Sequence, residues 1–78
     1  MYFHDDSQLY SVIGKSIKRY RTAAHLTQTQ FADKLGISLS YLTKLESAKC
    51  DKSVSLSLLN HIANTLNIDI VMFFEECD

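Results

Sequence analysis

Residues 26–46, which read LTQTQFADKLGISLSYLTKLE, decide the fold of this chain. Thr27 stands three residues before Gln30, a spacing typical of a capping box, in which the threonine hydroxyl and the glutamine side chain each accept a bond from a backbone N–H. The capping box predicts a helix over residues 28–35. The apolar side chains of that helix fall on one face and are predicted to be buried. They are Phe31, Ala32 and Leu35.

A second short helix is predicted directly after a tight turn. Gly36 can adopt the left-handed conformation that ends a helix abruptly, and Ser38 is a favourable N-cap. The helix that Ser38 starts is expected to extend to about Ser47 and to turn Leu42 and Leu45 toward the core. The stretch therefore predicts a pair of short helices separated by a few turn residues.

The flanking residues predict three further helices. Apolar side chains recur at helical spacing over residues 11–25, Ser55 can cap a fourth helix, and Asp69 can cap a last short helix over residues 70–76. The chain has no proline and only two glycines. These residues usually form the turns between strands, so their scarcity argues against a strand-and-turn architecture. We therefore expect a compact all-α fold of five helices.

Length and composition restrict the class of protein further. The 78 residues make one small domain, and a hydrophobic content of 46% is ample for a globular core. Cys50 and Cys77 lack the spacing of a metal knuckle or a disulfide framework, which fits a reducing compartment. The chain also lacks the pattern of a signal peptide and the apolar length of a membrane span. We expect a cytoplasmic protein.

Charge is segregated along the chain. All eight lysines and arginines lie between Lys15 and Lys52, and that window holds three acidic residues, so its net charge is +5. The residues before and after it carry −2 and −4, which completes the total of −1. A basic middle between acidic ends is typical of a domain that turns one face toward a polyanion.

Residues 26–46 resemble the helix-turn-helix of the phage-repressor and Cro family, also called XRE-like. The resemblance rests on the TQ at the first helix start, the FA that follows, the glycine turn with its aliphatic residue, and the closing LE. The flanking helices extend it over residues 11–76, and the last helix is also similar to that of restriction-modification controller proteins and stand-alone repressors. The resemblance implies a lambda-repressor-like DNA-binding domain over residues 11–78, preceded by an N-terminal extension, residues 1–10.

The second helix of the pair is the one that enters the major groove in this family. Lys44 can donate to guanine O6 or N7, and Leu39 can pack against a thymine methyl group or be a simple exposed apolar residue. Many family members carry a long polar side chain where Leu39 stands. The candidate base-contacting residues are Ser38, Leu39, Ser40, Thr43 and Lys44.

The resemblance also implies contacts with the DNA backbone. Gln28 matches the family glutamine whose side chain and helix-start amide hold a phosphate. Arg21 and Glu46 correspond to a pair that bridges the first helix to the end of the recognition helix, and we interpret this pair as structural. The candidate phosphate-contacting residues are Thr27, Gln28, Tyr41, Ser47, Lys49 and Lys52.

The predicted last helix offers more apolar surface than one short helix can bury within its own domain. In stand-alone family members the last helix commonly forms a symmetric dimer, which doubles the contact with DNA through two half-sites about 34 Å apart. Packing within the same chain is the alternative. The candidate interface residues are Ile68, Ile70, Val71, Phe73 and Phe74.

The sequence as a whole predicts a sequence-specific transcriptional regulator, a repressor or autoregulator, that binds a two-fold-symmetric operator in double-stranded DNA as a homodimer. Bound at a promoter, it would repress by blocking polymerase or activate by contacting it, and the sequence does not distinguish the two. The alternative is a protein-interaction module such as an antitoxin or an antagonist of another regulator, which the low net charge and Leu39 keep open. No spacing of nucleophile, base and acid suggests an enzyme, and the three histidines are not paired as metal ligands. We expect no metal, cofactor, small-molecule ligand or membrane partner.

Overall fold

A computed structural model describes residues 5–47 and 54–75 of the chain. Within these residues the chain is helical and contains no strand, which confirms the all-α prediction. Four elements are α-helices, and the fifth predicted helix is a short 3₁₀ helix rather than an α-helix. In chain order they are α1 (Asp6–Ala23), α2 (Gln28–Leu35), α3 (Leu39–Leu45), α4 (Leu56–Leu66) and the 3₁₀ helix η1 (Ile70–Phe74).

The first helix is longer at its start than apolar periodicity predicts. It begins at Asp6 rather than Ser11, because the Asp5 carboxylate accepts a bond from the backbone N–H of Gln8 at 2.8 Å and so caps the helix. Residues 6–10 therefore continue the same helix. Tyr10, within this added turn, packs against the edge of the core.

Every described element contributes to one hydrophobic core. The side chains predicted to be buried on α2 and α3 are buried, and Phe31 and Leu42 have no exposed surface. Among the described residues, the buried core consists of Ile13, Ile17, Phe31, Ala32, Leu35, Leu42, Leu45, Leu59, Ile62, Ala63 and Phe73. Of the α3 side chains outside this core, Tyr41 is half-buried against it and the others are exposed.

The final 3₁₀ helix is held against α1. Phe73 is fully buried, and its ring meets the Tyr20 ring edge to face with centroids 6.3 Å apart. The buried Ser16 hydroxyl donates to the carbonyl of Glu75 at 3.4 Å. Asp69 caps η1 by accepting a bond from the Val71 N–H at 3.2 Å, as the sequence predicts.

A glycine brings α1 into backbone contact with the end of α3. A Cβ atom built at Gly14 would overlap the carbonyl oxygen of Leu45 and would lie 3.5 Å from the carbonyl oxygen of Ser47. Only a residue without a side chain allows this approach. Gly14 thereby sets how closely the first helix and α3 can pack.

Candidate nucleic-acid interface

Local hydrogen bonds define both ends of α2. Thr27 Oγ1 accepts from the Gln30 N–H at 3.1 Å, and Gln30 Oε1 accepts from the Thr27 N–H at 2.9 Å, which completes the predicted capping box. Gly36 adopts a φ of 74°, and its N–H donates to the Ala32 carbonyl at 2.9 Å. The helix therefore starts and stops where the sequence predicts.

The second helix of the pair follows after three residues, Gly36, Ile37 and the N-cap Ser38. Ser38 Oγ accepts from the Tyr41 N–H at 3.1 Å and caps α3. The helix ends at Leu45, with Glu46 as its C-cap, and is therefore shorter than the predicted extent to Ser47. The order α2, tight turn, α3 is that of a helix-turn-helix.

The outward side of α3, together with its N-cap, carries all five residues that the resemblance assigns to base contacts. Leu42 and Leu45 point into the core, and the side of the helix opposite to them faces solvent. Leu39 is 45% exposed and is the one large apolar side chain among these five residues. The Thr43 hydroxyl donates to the Leu39 carbonyl at 2.8 Å, so its proton is committed to the helix backbone. The exposed set is Ser38, Leu39, Ser40, Thr43 and Lys44.

The described residues assigned to phosphates lie at the start of α2, within α3 and just after α3. Thr27 and Ser47 are exposed, one at the start of α2 and the other just after the end of α3. Tyr41 is half-buried and packs against the core. Lys49 and Lys52 lie outside the described residues.

The Gln28 side chain has a partner within the protein. Its Nε2 donates to Glu46 Oε1 at 3.0 Å, which joins the first residue of α2 to the C-cap of α3. A phosphate contact from Gln28 would therefore use the second N–H of the amide or the backbone N–H at the helix start.

A buried ion pair fixes the end of α3 to α1. Arg21 Nε lies 2.7 Å from Glu46 Oε2 and Arg21 Nη2 lies 3.0 Å from Oε1, with the two side chains only 8% and 2% exposed. Arg21 Nη1 also donates to the Leu26 carbonyl at 2.7 Å. Two parallel bonds and low exposure give this pair a defined geometry. It ties α1, the segment before α2 and the end of α3 together.

The candidate dimer surface needs one correction. Phe73 was predicted to face a partner, but it has no exposed surface because it packs against Tyr20 in its own core. Val71 is 55% exposed, and the other three candidates are half-buried. Of the five candidate residues, Ile68, Ile70, Val71 and Phe74 keep exposed surface.

Two structural roles of this interface were missed from the sequence. Gly14 lies within a helical pattern, and an interior glycine is a recognised signal of close packing. The Gln28–Glu46 bond joins residues far apart in the chain, and no local sequence pattern predicts such a contact. Both features fix the position of α3 in the domain and do not involve its exposed side chains.

The structure also bears on metal and membrane sites. Over residues 5–47 and 54–75, no three or more histidine, cysteine, aspartate or glutamate side chains are grouped so that they could hold a metal ion. None of the described helices is long and apolar enough to cross a membrane.

Comparisons with known proteins agree with this geometry. The model of the Helix-turn-helix family matches residues 17–73. The fold is similar to the restriction-modification controller protein C.AhdI from Aeromonas hydrophila, at 28% identity and a TM-score of 0.74, over 83% of this chain and 96% of that one. It is also similar to the clp gene regulator ClgR from C. glutamicum, at 25% identity and a TM-score of 0.75, over 83% and 82% of the two chains.

A third structure is similar in fold alone. The hypothetical transcription factor NHTF from Neisseria is 17% identical, with a TM-score of 0.79 over 97% of this chain and 85% of that one. No curated protein matches the sequence.

Proposed function

The chain belongs to the XRE-type helix-turn-helix family of DNA-binding transcriptional regulators, and from this we propose that it binds a two-fold-symmetric operator as a homodimer. The observation that carries the proposal is the outward face of α3, which is exposed and mostly polar while its inner face is locked into the core. We further propose that the protein resides in the cytoplasm and acts as a repressor or autoregulator by excluding polymerase from a promoter.

The dimensions and chemistry of α3 suit the major groove. An α-helix with side chains is about 10–12 Å wide, and the major groove of B-DNA is about 12 Å wide. Ser38 and Ser40 can donate to or accept from base edges, and Lys44 can donate to guanine. These exposed side chains would read the sequence while α2 lies across the backbone.

The start of α2 supports a phosphate contact. The capping box uses the N–H groups of Thr27 and Gln30, and the first-turn amides of Gln28 and Thr29 have no acceptor within the helix. Amides in this position favour an anion. We propose that they hold one phosphate and that Thr27, Tyr41, Ser47, Lys49 and Lys52 contact its neighbours. Such contacts fix the register of the protein on DNA.

A two-fold operator requires a dimer, and the exposed apolar surface near the C-terminal end of α4 supports one. Val71 is the most exposed residue of that surface, with Ile68, Ile70 and Phe74 beside it in the chain. Paired copies would cover this surface and present two α3 helices to successive turns of DNA.

We expect Lys44→Ala to weaken binding to the preferred duplex by about 1–3 kcal/mol and to relax the preference at one base pair of each half-site. The measurement is the affinity for the preferred duplex and for its single-base variants. Lys34→Ala is the matched control, because Lys34 is also an exposed lysine in the last turn of a helix but lies on α2. Equal losses from both substitutions, with base preference unchanged, would mean that Lys44 supplies only general positive charge.

We expect Val71→Lys to weaken dimerisation by about tenfold or more, because a charge would replace apolar surface covered by the partner. Sedimentation equilibrium measures the effect. Leu56→Lys is the control, since Leu56 is a 72% exposed apolar residue at the opposite end of α4. If Val71→Lys weakens the dimer no more than Leu56→Lys does, the dimer interface does not include Val71.

A second candidate function, a protein-interaction module, is favoured by the exposure of Leu39, because protein interfaces use apolar side chains at their centres. In that case a protein partner would cover α3. Binding to such a partner would survive the Lys44 and Gln28 substitutions, and binding to DNA would be absent.

A further inference from the structure

The outward face of α3 contains an apolar strip among its polar side chains. Leu39 is the first residue of the helix, and Thr43 lies one turn later, so the two side chains are neighbours on one face. The Thr43 hydroxyl donates to the Leu39 carbonyl at 2.8 Å. That bond turns the hydroxyl toward the backbone, so the methyl group is the part of the Thr43 side chain left for an apolar contact outside the helix.

This strip lies where base edges would be met under the proposed function. It is flanked on the same outward face by the Ser40 hydroxyl and by Lys44, which are groups that bond to bases. The base edges in the major groove present one apolar group, the methyl on C5 of a pyrimidine. An apolar strip at this position therefore has one complementary partner in DNA.

We propose that Leu39 and Thr43 together recognise the C5-methyl group of a pyrimidine in each half-site. The inference rests on the proposed function, and it names the chemical group on DNA that the protein recognises. Thymine and 5-methylcytosine carry the same methyl group at the same place in the groove, so both are sources of the contact.

The test uses the full chain and its preferred duplex. Each thymine is replaced in turn by uracil, which removes only the methyl group, and each cytosine is replaced in turn by 5-methylcytosine. Losing one buried methyl group is expected to lower the affinity by about fourfold for each half-site. A loss at a uracil position identifies thymine as the source, and a gain at a methylated cytosine identifies 5-methylcytosine.

The protein variants connect that methyl group to the strip. Leu39→Ala should bind more weakly and should no longer distinguish the duplexes with and without the critical methyl group. Leu56→Ala should retain the full discrimination, and it is closely matched because Leu56 also follows a serine N-cap as the first residue of a helix. Circular dichroism shows whether each variant is folded.

Substitutions at Thr43 separate its methyl group from its hydroxyl. Thr43→Ser keeps the hydroxyl and its bond to the Leu39 carbonyl but removes the methyl, and we expect it to lose part of the discrimination. Thr43→Val keeps the methyl group, and we expect this variant to retain the discrimination between duplexes with and without the critical methyl group.

Two results would overturn the inference while leaving DNA binding intact: a tightly bound duplex that responds to no uracil or 5-methylcytosine, or a Leu39→Ala protein that discriminates as well as the wild type. A folded protein that binds no duplex at all would instead remove the proposed function.

Discussion

Replacing Glu46 with alanine is expected to lower the free energy of unfolding by about 3–5 kcal/mol, because it leaves the buried Arg21 guanidinium without its carboxylate. The Gln28 amide loses its partner in the same variant. Small domains have a total stability of only about 5–15 kcal/mol, so this one substitution removes a large part of it. Urea denaturation followed by circular dichroism measures the loss.

The control for Glu46→Ala is Asp33→Ala, which removes an exposed acidic residue on α2. Surface substitutions of this kind usually change stability by no more than about 0.5 kcal/mol. A loss below about 1 kcal/mol for Glu46→Ala would mean that the ion pair with Arg21 is solvated or absent in solution.

Gly14→Ala has the second-largest expected effect, and its sign is opposite to the usual one. In a helix interior alanine is ordinarily more stable than glycine by about 0.5–1 kcal/mol. Here the new Cβ would overlap the Leu45 carbonyl. The atoms nearest to it belong to the backbone, so no flexible side chain can move aside. Overpacking of this kind costs about 1–3 kcal/mol, occasionally more. We expect a loss in that range, measured by the same denaturation experiment.

Gly36→Ala is the matched control for Gly14→Ala. Gly36 has a φ of 74° but no atom within 4 Å of a built Cβ, so alanine there meets backbone strain without a clash. That strain costs about 1–2 kcal/mol. Gly14→Ala should also weaken DNA binding more than Gly36→Ala, because it displaces the end of α3. A stabilised Gly14→Ala protein would contradict the close approach of α1 to Leu45.

The parts of the fold that the sequence predicted depend on local chemistry. Thr27, Gln30, Gly36 and Ser38 act within their own turns, so the bounds of α2 and the start of α3 were visible as patterns. Apolar periodicity alone predicts a start of α1 at Ser11, whereas Asp5, an ordinary N-cap residue, starts the helix at Asp6.

The parts that the sequence could not predict depend on tertiary contacts. Which aromatic ring of the last helix turns inward is decided by Tyr20 on α1, and the ring of Phe73 is the one that fills that space. The bond between Gln28 and Glu46 likewise requires the assembled domain. For the candidate site, the outward residues of α3 followed from the positions of Leu42 and Leu45, whereas the groups that hold α3 in place did not.

The central claim, that α3 reads the sequence of a DNA operator, is tested most directly by selecting bound duplexes from a random pool with the purified full chain. The selected duplex is then titrated at several salt concentrations. We predict enrichment of one two-fold-symmetric site, with an affinity that falls steeply as salt rises because phosphate contacts release counterions. A folded, dimeric protein that enriches no sequence would contradict the claim and would leave protein binding by α3 as the better explanation of the exposed Leu39.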